Sequence, residues 1–154
     1  MLSEGSIAPD VELILADGAT RSIASFRGHP LVVYFYPKDD TSGCTKEAQE
    51  FTALAKDFAN AGATVIGVSR DSLKSHAKFV GKYDLAVQLA SDESGAVCEA
   101  FGTWVEKSMY GKTYMGIERS TFLIAADGTI ARIWRKVKVP GHAAAVLQAV
   151  TQAS

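Results

Sequence analysis

The sequence is 154 residues long, 47% hydrophobic and 21% charged, which is enough apolar material for one buried core, so a single domain spanning 1-154 is expected. Its 16 Lys and Arg against 17 Asp and Glu leave a formal charge of -1 with no long basic run, which argues against nucleic-acid and membrane partners. The start lacks a basic segment followed by an apolar run, and no apolar stretch approaches bilayer-spanning length, so a soluble cytoplasmic protein is expected.

In chain order, Val11 to Ala16 and Thr20 to Ile23 flank Asp17-Gly18, the pattern of an N-terminal β-hairpin. Leu31 to Tyr36 is a continuous β-branched and aromatic run that Pro37 ends, as in a central strand buried on both faces. From Cys44, the residues Ala48, Phe51, Leu54, Ala55 and Phe58 recur at helical spacing, and Asn60-Ala61-Gly62 supplies a stop. Thr64 to Ser69 reads as a second buried strand, Ser72 as the cap of a helix to about Tyr83, and Val87 to Leu89 as a short strand. A short helix over Glu93 to Phe101 follows. The runs Thr121 to Ile124 and Ile130 to Trp134 make a second hairpin about Asp127-Gly128, and Gly141 to Gln152 closes the chain as a helix. The βαβαβ rhythm implies parallel pairing with right-handed crossovers. The expected class is α/β, with a mixed central sheet, helices on both faces and antiparallel edges; a thioredoxin-like fold fits it.

The segment Tyr36-Pro37-Lys38-Asp39-Asp40-Thr41-Ser42-Gly43-Cys44-Thr45-Lys46-Glu47 joins the end of the central strand to the start of a helix, where open α/β sheets place ligand crevices. A cysteine in a first helical turn meets unpaired backbone N–H groups and the positive end of the helix dipole, and both favour thiolate. Gly43 lets a small ligand come close to the backbone, and Pro37 either shields the sulfur or simply ends the strand. The Thr41 hydroxyl can orient a reacting oxygen or serve ordinary cap and turn chemistry. The three histidines, His29, His76 and His142, fall in segments that read as loops or helix surfaces, so solvated or capping roles are expected and no metal site.

The spacing Pro37, Thr41, Cys44 is that of the signature Pro-x-x-x-Thr-x-x-Cys, and here the segment resembles the peroxiredoxins. The opening Gly5-Ser6-Ile7-Ala8-Pro9-Asp10 is similar to that superfamily. The runs Tyr36 to Asp39, Gly43 to Ala48, Phe101 to Trp104 and Gly111 to Phe122 resemble its bacterioferritin comigratory protein, or peroxiredoxin Q, branch. The resemblance covers nearly the whole chain. It implies a thiol peroxidase without metal or organic cofactor, reducing hydrogen peroxide and organic hydroperoxides through a Cys44 sulfenic acid. By the same resemblance Arg119, otherwise a charge at a strand start, sits beside Cys44. Glu47 either orders the site's hydrogen bonds or is a helix-surface carboxylate.

Members of this branch often carry a resolving cysteine five residues after the reactive one or in the following helix. Those places hold Gln49 and Lys78-Phe79-Val80-Gly81. Only Cys98 remains, one helical turn before Phe101, and it is read as a core residue; a Cys44–Cys98 bridge is the alternative. The expectation is one-Cys chemistry in a monomer, recycled by an external thiol such as thioredoxin or a glutathione/glutaredoxin system. A redox sensor or holdase, in which Cys44 is oxidised once and read by a partner, is the rival from another class. A dithiol oxidoreductase would want a CxxC, which the loop lacks, and a cysteine hydrolase a histidine beside Cys44.

Overall fold

The computed structural model describes residues 2–153. The hairpin of β1 (Glu12–Leu15) and β2 (Thr20–Ser22) forms about Asp17 and Gly18, where Gly18 takes φ +83° and the Asp17 carboxylate accepts the Ala19 N–H at 2.9 Å. A 3-10 turn, Ile23–Phe26, leads to β3 (Leu31–Phe35), every residue of which is buried. Helix α1 (Ser42–Ala53) follows, then α2 (Ala55–Asn60), β4 (Thr64–Ser69), α3 (Leu73–Tyr83), β5 (Gln88–Ser91) and α4 (Ala96–Ala100). The chain continues through β6 (Trp104–Met109), β7 (Lys112–Ile117), β8 (Ser120–Ile124) and β9 (Ile130–Trp134) to α5 (His142–Ala153).

Seven strands form one sheet in the order β2-β1-β5-β4-β3-β8-β9. The centre, β5-β4-β3, is parallel, while β1 and β8 join it antiparallel on either side. This is the mixed sheet with antiparallel edges that the element rhythm implies. The side chains of β3 alternate between two cores. Val33 and Phe35 face one, with Phe101, Phe122 and α4's Val97 and Cys98. Val32 and Tyr34 face the other, with Phe51 of α1, Phe58 of α2, Phe79 of α3 and Val146 of α5. Helices thus cover both faces unequally, four against one short helix and the 3-10 turn. Each large apolar side chain so buried contributes about 1.5–3 kcal/mol relative to leaving it exposed.

Two local readings change, and one element was not foreseen. The helix expected to run from Cys44 to about Asn60 breaks at Leu54 (φ -102°, ψ 9°), whose N–H turns to the Phe51 and Thr52 carbonyls, so Phe58 swings onto the sheet from a second short helix. The helix near Glu93 begins only at Ala96, with Gly95 at φ +82° before it. The segment Trp104 to Ile117 is a two-stranded ribbon, β6 against β7, turning at Tyr110 and Gly111, both with positive φ. No apolar alternation announces it, because the ribbon is largely exposed, Met109 and Tyr110 included.

Candidate active site

Thr41 is the N-cap residue of α1, which makes Cys44 the third residue of the helix, and the Thr41 carbonyl accepts the Thr45 N–H at 2.8 Å. The Thr41 side chain makes no capping bond. It is exposed, and its hydroxyl donates to the Lys38 carbonyl at 2.8 Å, fixing the turn. Cys44 lies inward beneath this turn, only 1% exposed, as a free thiol.

Arg119 reaches Cys44 from the short link between β7 and β8. Its Nη2 donates to Cys44 Sγ at 3.5 Å and its Nη1 to Glu47 Oε1 at 2.6 Å. The guanidinium passes so close to Gly43 that a β-carbon there would stand 3.1 Å from Nη2. Gly43 therefore makes room for the arginine as much as for a ligand. Among the described residues Arg119 is the one hydrogen-bond donor to the Cys44 sulfur. Burial alone works against the Arg119 charge, but Glu47 and Cys44 together hold it firmly cationic.

Glu47 is not a helix-surface carboxylate. Its side chain is 1% exposed, one turn along α1 from Cys44, because the inward stripe of the helix continues through it to Ala48 and Phe51. Burial raises its pKa to about 7, although the Arg119 charge and hydrogen bond pull the other way. Among the described residues Glu47 Oε2 has no hydrogen-bond partner. The exposed Pro37 lines one wall of an open cleft of about 510 Å³ with Arg70, Trp104, Lys107, Tyr114 and Met115. A second cleft of about 430 Å³ is lined by Arg119, Lys107, Glu118 and Lys136.

Two of the three histidines do not sit where their segments suggest. His29 is exposed, but His76 is fully buried and His142 nearly so. His76 faces inward from the first turns of α3 and meets the Asp39 carboxylate at 2.7 Å. His142 opens α5 between the rings of Phe51 and Trp134, with Nε2 2.7 Å from Thr121 Oγ1, and burial followed by the Arg119 charge lowers its pKa to about 4. None of the three hydrogen bonds to Cys44. Lys107 also escaped the reading of the sequence: it lines both clefts, and partial burial and Arg119 lower its pKa, while the Cys44 and Glu118 charges oppose this. Its only signal was a lysine amid the exposed residues of β6.

Cys98 is fully buried in the core on the other face of the sheet from Cys44, in the same cluster as Phe101. Its N–H donates to Asp92 Oδ2 at 2.8 Å, and burial, then Asp92, push the thiol pKa up strongly. Among the described residues no group of three or more His, Cys, Asp or Glu could hold a metal ion, and no helix is long and apolar enough to cross a membrane.

The arrangement therefore sets the Cys44 sulfur in the first turn of α1 against the Arg119 guanidinium. Residues 5–133 match the AhpC/TSA family. A curated relative, peroxiredoxin Bcp of Xanthomonas campestris pv. campestris, is 52% identical over 141 residues, 92% of this chain and 88% of its own. Peroxiredoxin Bcp of Bacillus subtilis is 46% identical over 150 residues, 97% of this chain and 96% of its own. The solved Xanthomonas campestris bacterioferritin comigratory protein, studied for its alkyl peroxide reduction activity through trapped intermediate and ligand complexes, superposes with a TM-score of 0.90 at 47% identity, covering 97% of this chain and 98% of its own. A free thiol at a helix start on a thioredoxin-like sheet and this length of likeness lead to one assignment: the chain belongs to the AhpC/TSA family, as a thiol-dependent peroxidase of the peroxiredoxin Bcp branch.

Proposed function

We propose that Cys44 is the peroxide-reducing residue and that the chain works as a one-Cys enzyme on hydrogen peroxide and organic hydroperoxides. The Cys44 thiolate attacks the oxygen that bears hydrogen. The S–O bond forms as the O–O bond breaks, leaving Cys44 as sulfenic acid, and the departing oxygen takes a proton and leaves as water or an alcohol. Charge gathers on both oxygens during this step, and Arg119 and the first N–H groups of α1 stand where they can offset it, about 3 kcal/mol for each donor of this kind. The observation that carries the reading is the Arg119 guanidinium donating to Cys44 Sγ while Glu47 anchors its other nitrogen. Thr41 fixes the turn before Cys44, Gly43 leaves room for Arg119, and Pro37 lines the cleft beside that turn.

Recycling by an external thiol, thioredoxin or a glutathione/glutaredoxin system, is supported by where the second cysteine lies. Cys98 faces the opposite core from Cys44, and a disulfide needs Cα atoms within about 7 Å. A bridge would require moving one residue through or around the sheet. Work in the cytoplasm, where thiol reductants are abundant, fits this reading. The test is thiol-coupled turnover of Cys44→Ser, which keeps the shape but loses an ionisable sulfur. The variant should be inactive while folded, and substantial residual turnover would refute Cys44 as the reacting group. Many peroxides consumed per wild-type chain mark an enzyme, about one a sensor.

A further inference from the structure

The residues between β3 and Cys44 are tied to α3 as well as to their own helix. Asp39, at the centre of that loop, is buried, and its carboxylate accepts three hydrogen bonds: from Tyr36 Oη at 2.6 Å, Ser75 Oγ at 2.8 Å and His76 Nδ1 at 2.7 Å. Its own N–H donates to Asp71 Oδ2 at 2.8 Å, and Ser69 Oγ holds that same oxygen at 2.7 Å. Next along the loop, Asp40 takes φ +59°, a left-handed conformation that Asp tolerates better than most residues. Its carboxylate accepts from Lys82 Nζ at 2.8 Å and Tyr83 Oη at 2.6 Å, at the far end of α3. Both ends of one helix thus grip two consecutive residues that lead into Cys44.

His76 is the deep end of this grip. Its Nε2 faces the Ala90 carbonyl of β5 at 2.9 Å, and a carbonyl oxygen only accepts, so Nε2 carries a proton. Its Nδ1 faces a carboxylate that already accepts from Tyr36 and Ser75, as an ionised group does, so Nδ1 donates too. A ring with both nitrogens donating is an imidazolium. Besides Asp39, the ionisable groups turned toward it are Asp71 from the end of β4, whose charge also favours the cation, and the Tyr36 phenol from the end of β3, which burial keeps protonated.

We propose that α3 is the positioning element for the Cys44 loop, and that His76, held as an imidazolium between Asp39 and the Ala90 carbonyl, is its positioning residue. The inference rests on the reading of Cys44 as the peroxide-reducing residue. His76 touches no reacting atom. It acts through Asp39, fixing the turn from which α1 starts and hence the place of the sulfur under Arg119.

Burial disfavours the His76 cation, but the Asp39 hydrogen bond and charge prevail and raise its pKa. Asp39 responds conversely: burial pushes its carboxyl up, and the His76, Tyr36 and Ser75 bonds hold it below the usual range. With both ring nitrogens donating, the anchor is intact as long as His76 is charged. It is lost as pH rises through the folded-state value of His76, when the Nδ1 proton leaves and Asp39 faces a lone pair.

The test is the second-order rate of Cys44 oxidation by hydrogen peroxide across neutral and alkaline pH, with nitrogen NMR of the His76 ring in wild type. His76→Leu, which removes both donors, should lower the rate about tenfold or more, since small misplacements of reacting groups are that costly. His76→Gln, which keeps one donor and cannot titrate, should recover part of that loss and lack the alkaline decline of wild type. The NMR spectrum should show both ring nitrogens protonated at neutral pH, and it needs no variant to fold. A neutral His76 ring there, or a folded His76→Leu that oxidises as fast as wild type, would overturn the proposal. A wild-type chain inert to peroxide would instead overturn the reading of Cys44.

Discussion

Replacing Glu47 by Gln removes a buried ionisable group and almost nothing else. The amide oxygen can still accept from Arg119 Nη1, as Oε1 does at 2.6 Å. In wild type, burial pushes Glu47 from its ordinary 4.5 to about 7, with Arg119 opposing the rise. A folded-state value above the unfolded one means that Glu47 favours the folded state fully below about 4.5, and that this contribution is lost as pH rises through about 7. At about 1.4 kcal/mol for each pH decade, the whole loss is about 3 kcal/mol, most of it falling between pH 5 and pH 9. The side chain is 1% exposed, so solvent does little to screen it. Urea unfolding followed by circular dichroism at those two pH values, for wild type and Glu47→Gln, isolates the effect because all other titrations cancel in the difference. From pH 5 to pH 9 the variant should gain about 2–3 kcal/mol on wild type. Parallel pH dependence of the two proteins would mean instead that the Arg119 pair keeps Glu47 ionised throughout.

Other changes probe the site and its support. Arg119→Met should slow Cys44 oxidation by peroxide about a hundredfold, the value of one preorganised donor, as read by stopped-flow fluorescence; a rate within about twofold of wild type would take Arg119 out of the mechanism. Cys98→Ser places a hydroxyl in an apolar core and should cost about 1–3 kcal/mol in urea unfolding while thiol-coupled turnover stays at the wild-type level. Gly67→Ala puts a β-carbon 2.5 Å from Tyr34 Cζ and 3.0 Å from Leu89 Cδ2, and thermal unfolding should report a loss of about 1–3 kcal/mol as that ring is displaced.

The sheet was legible because its central strands are largely buried, so Leu31 to Tyr36 and Thr64 to Ser69 read as β-branched, mostly apolar runs with limits close to those observed. The ribbon of β6 and β7 was not, since it is held by cross-strand pairing on an exposed surface and carries Lys107, Met109 and Tyr110 where no core demands a pattern. Cys44 could be singled out from its place after Gly43 at a helix start. Arg119 lies 75 residues away in sequence, and only likeness to a family pointed to it; the fold then brings its guanidinium to the sulfur. Glu47 and His76 illustrate the converse. Each is a polar residue on a helix that looks surface-exposed until the ion partner is known, Arg119 for one and Asp39 for the other, and those partners come from distant segments.

On the proposed one-Cys chemistry, Cys44 alone carries the redox change and an outside thiol restores it. Intact mass and peptide mapping of the wild-type chain after one equivalent of hydrogen peroxide tests this most directly. One added oxygen on Cys44, trapped as a sulfenic acid adduct, with Cys98 still a free thiol, is the expected result. A loss of two hydrogens with a Cys44–Cys98 disulfide in the monomer, absent from Cys98→Ser along with thioredoxin-coupled turnover, would contradict it and make Cys98 the resolving residue.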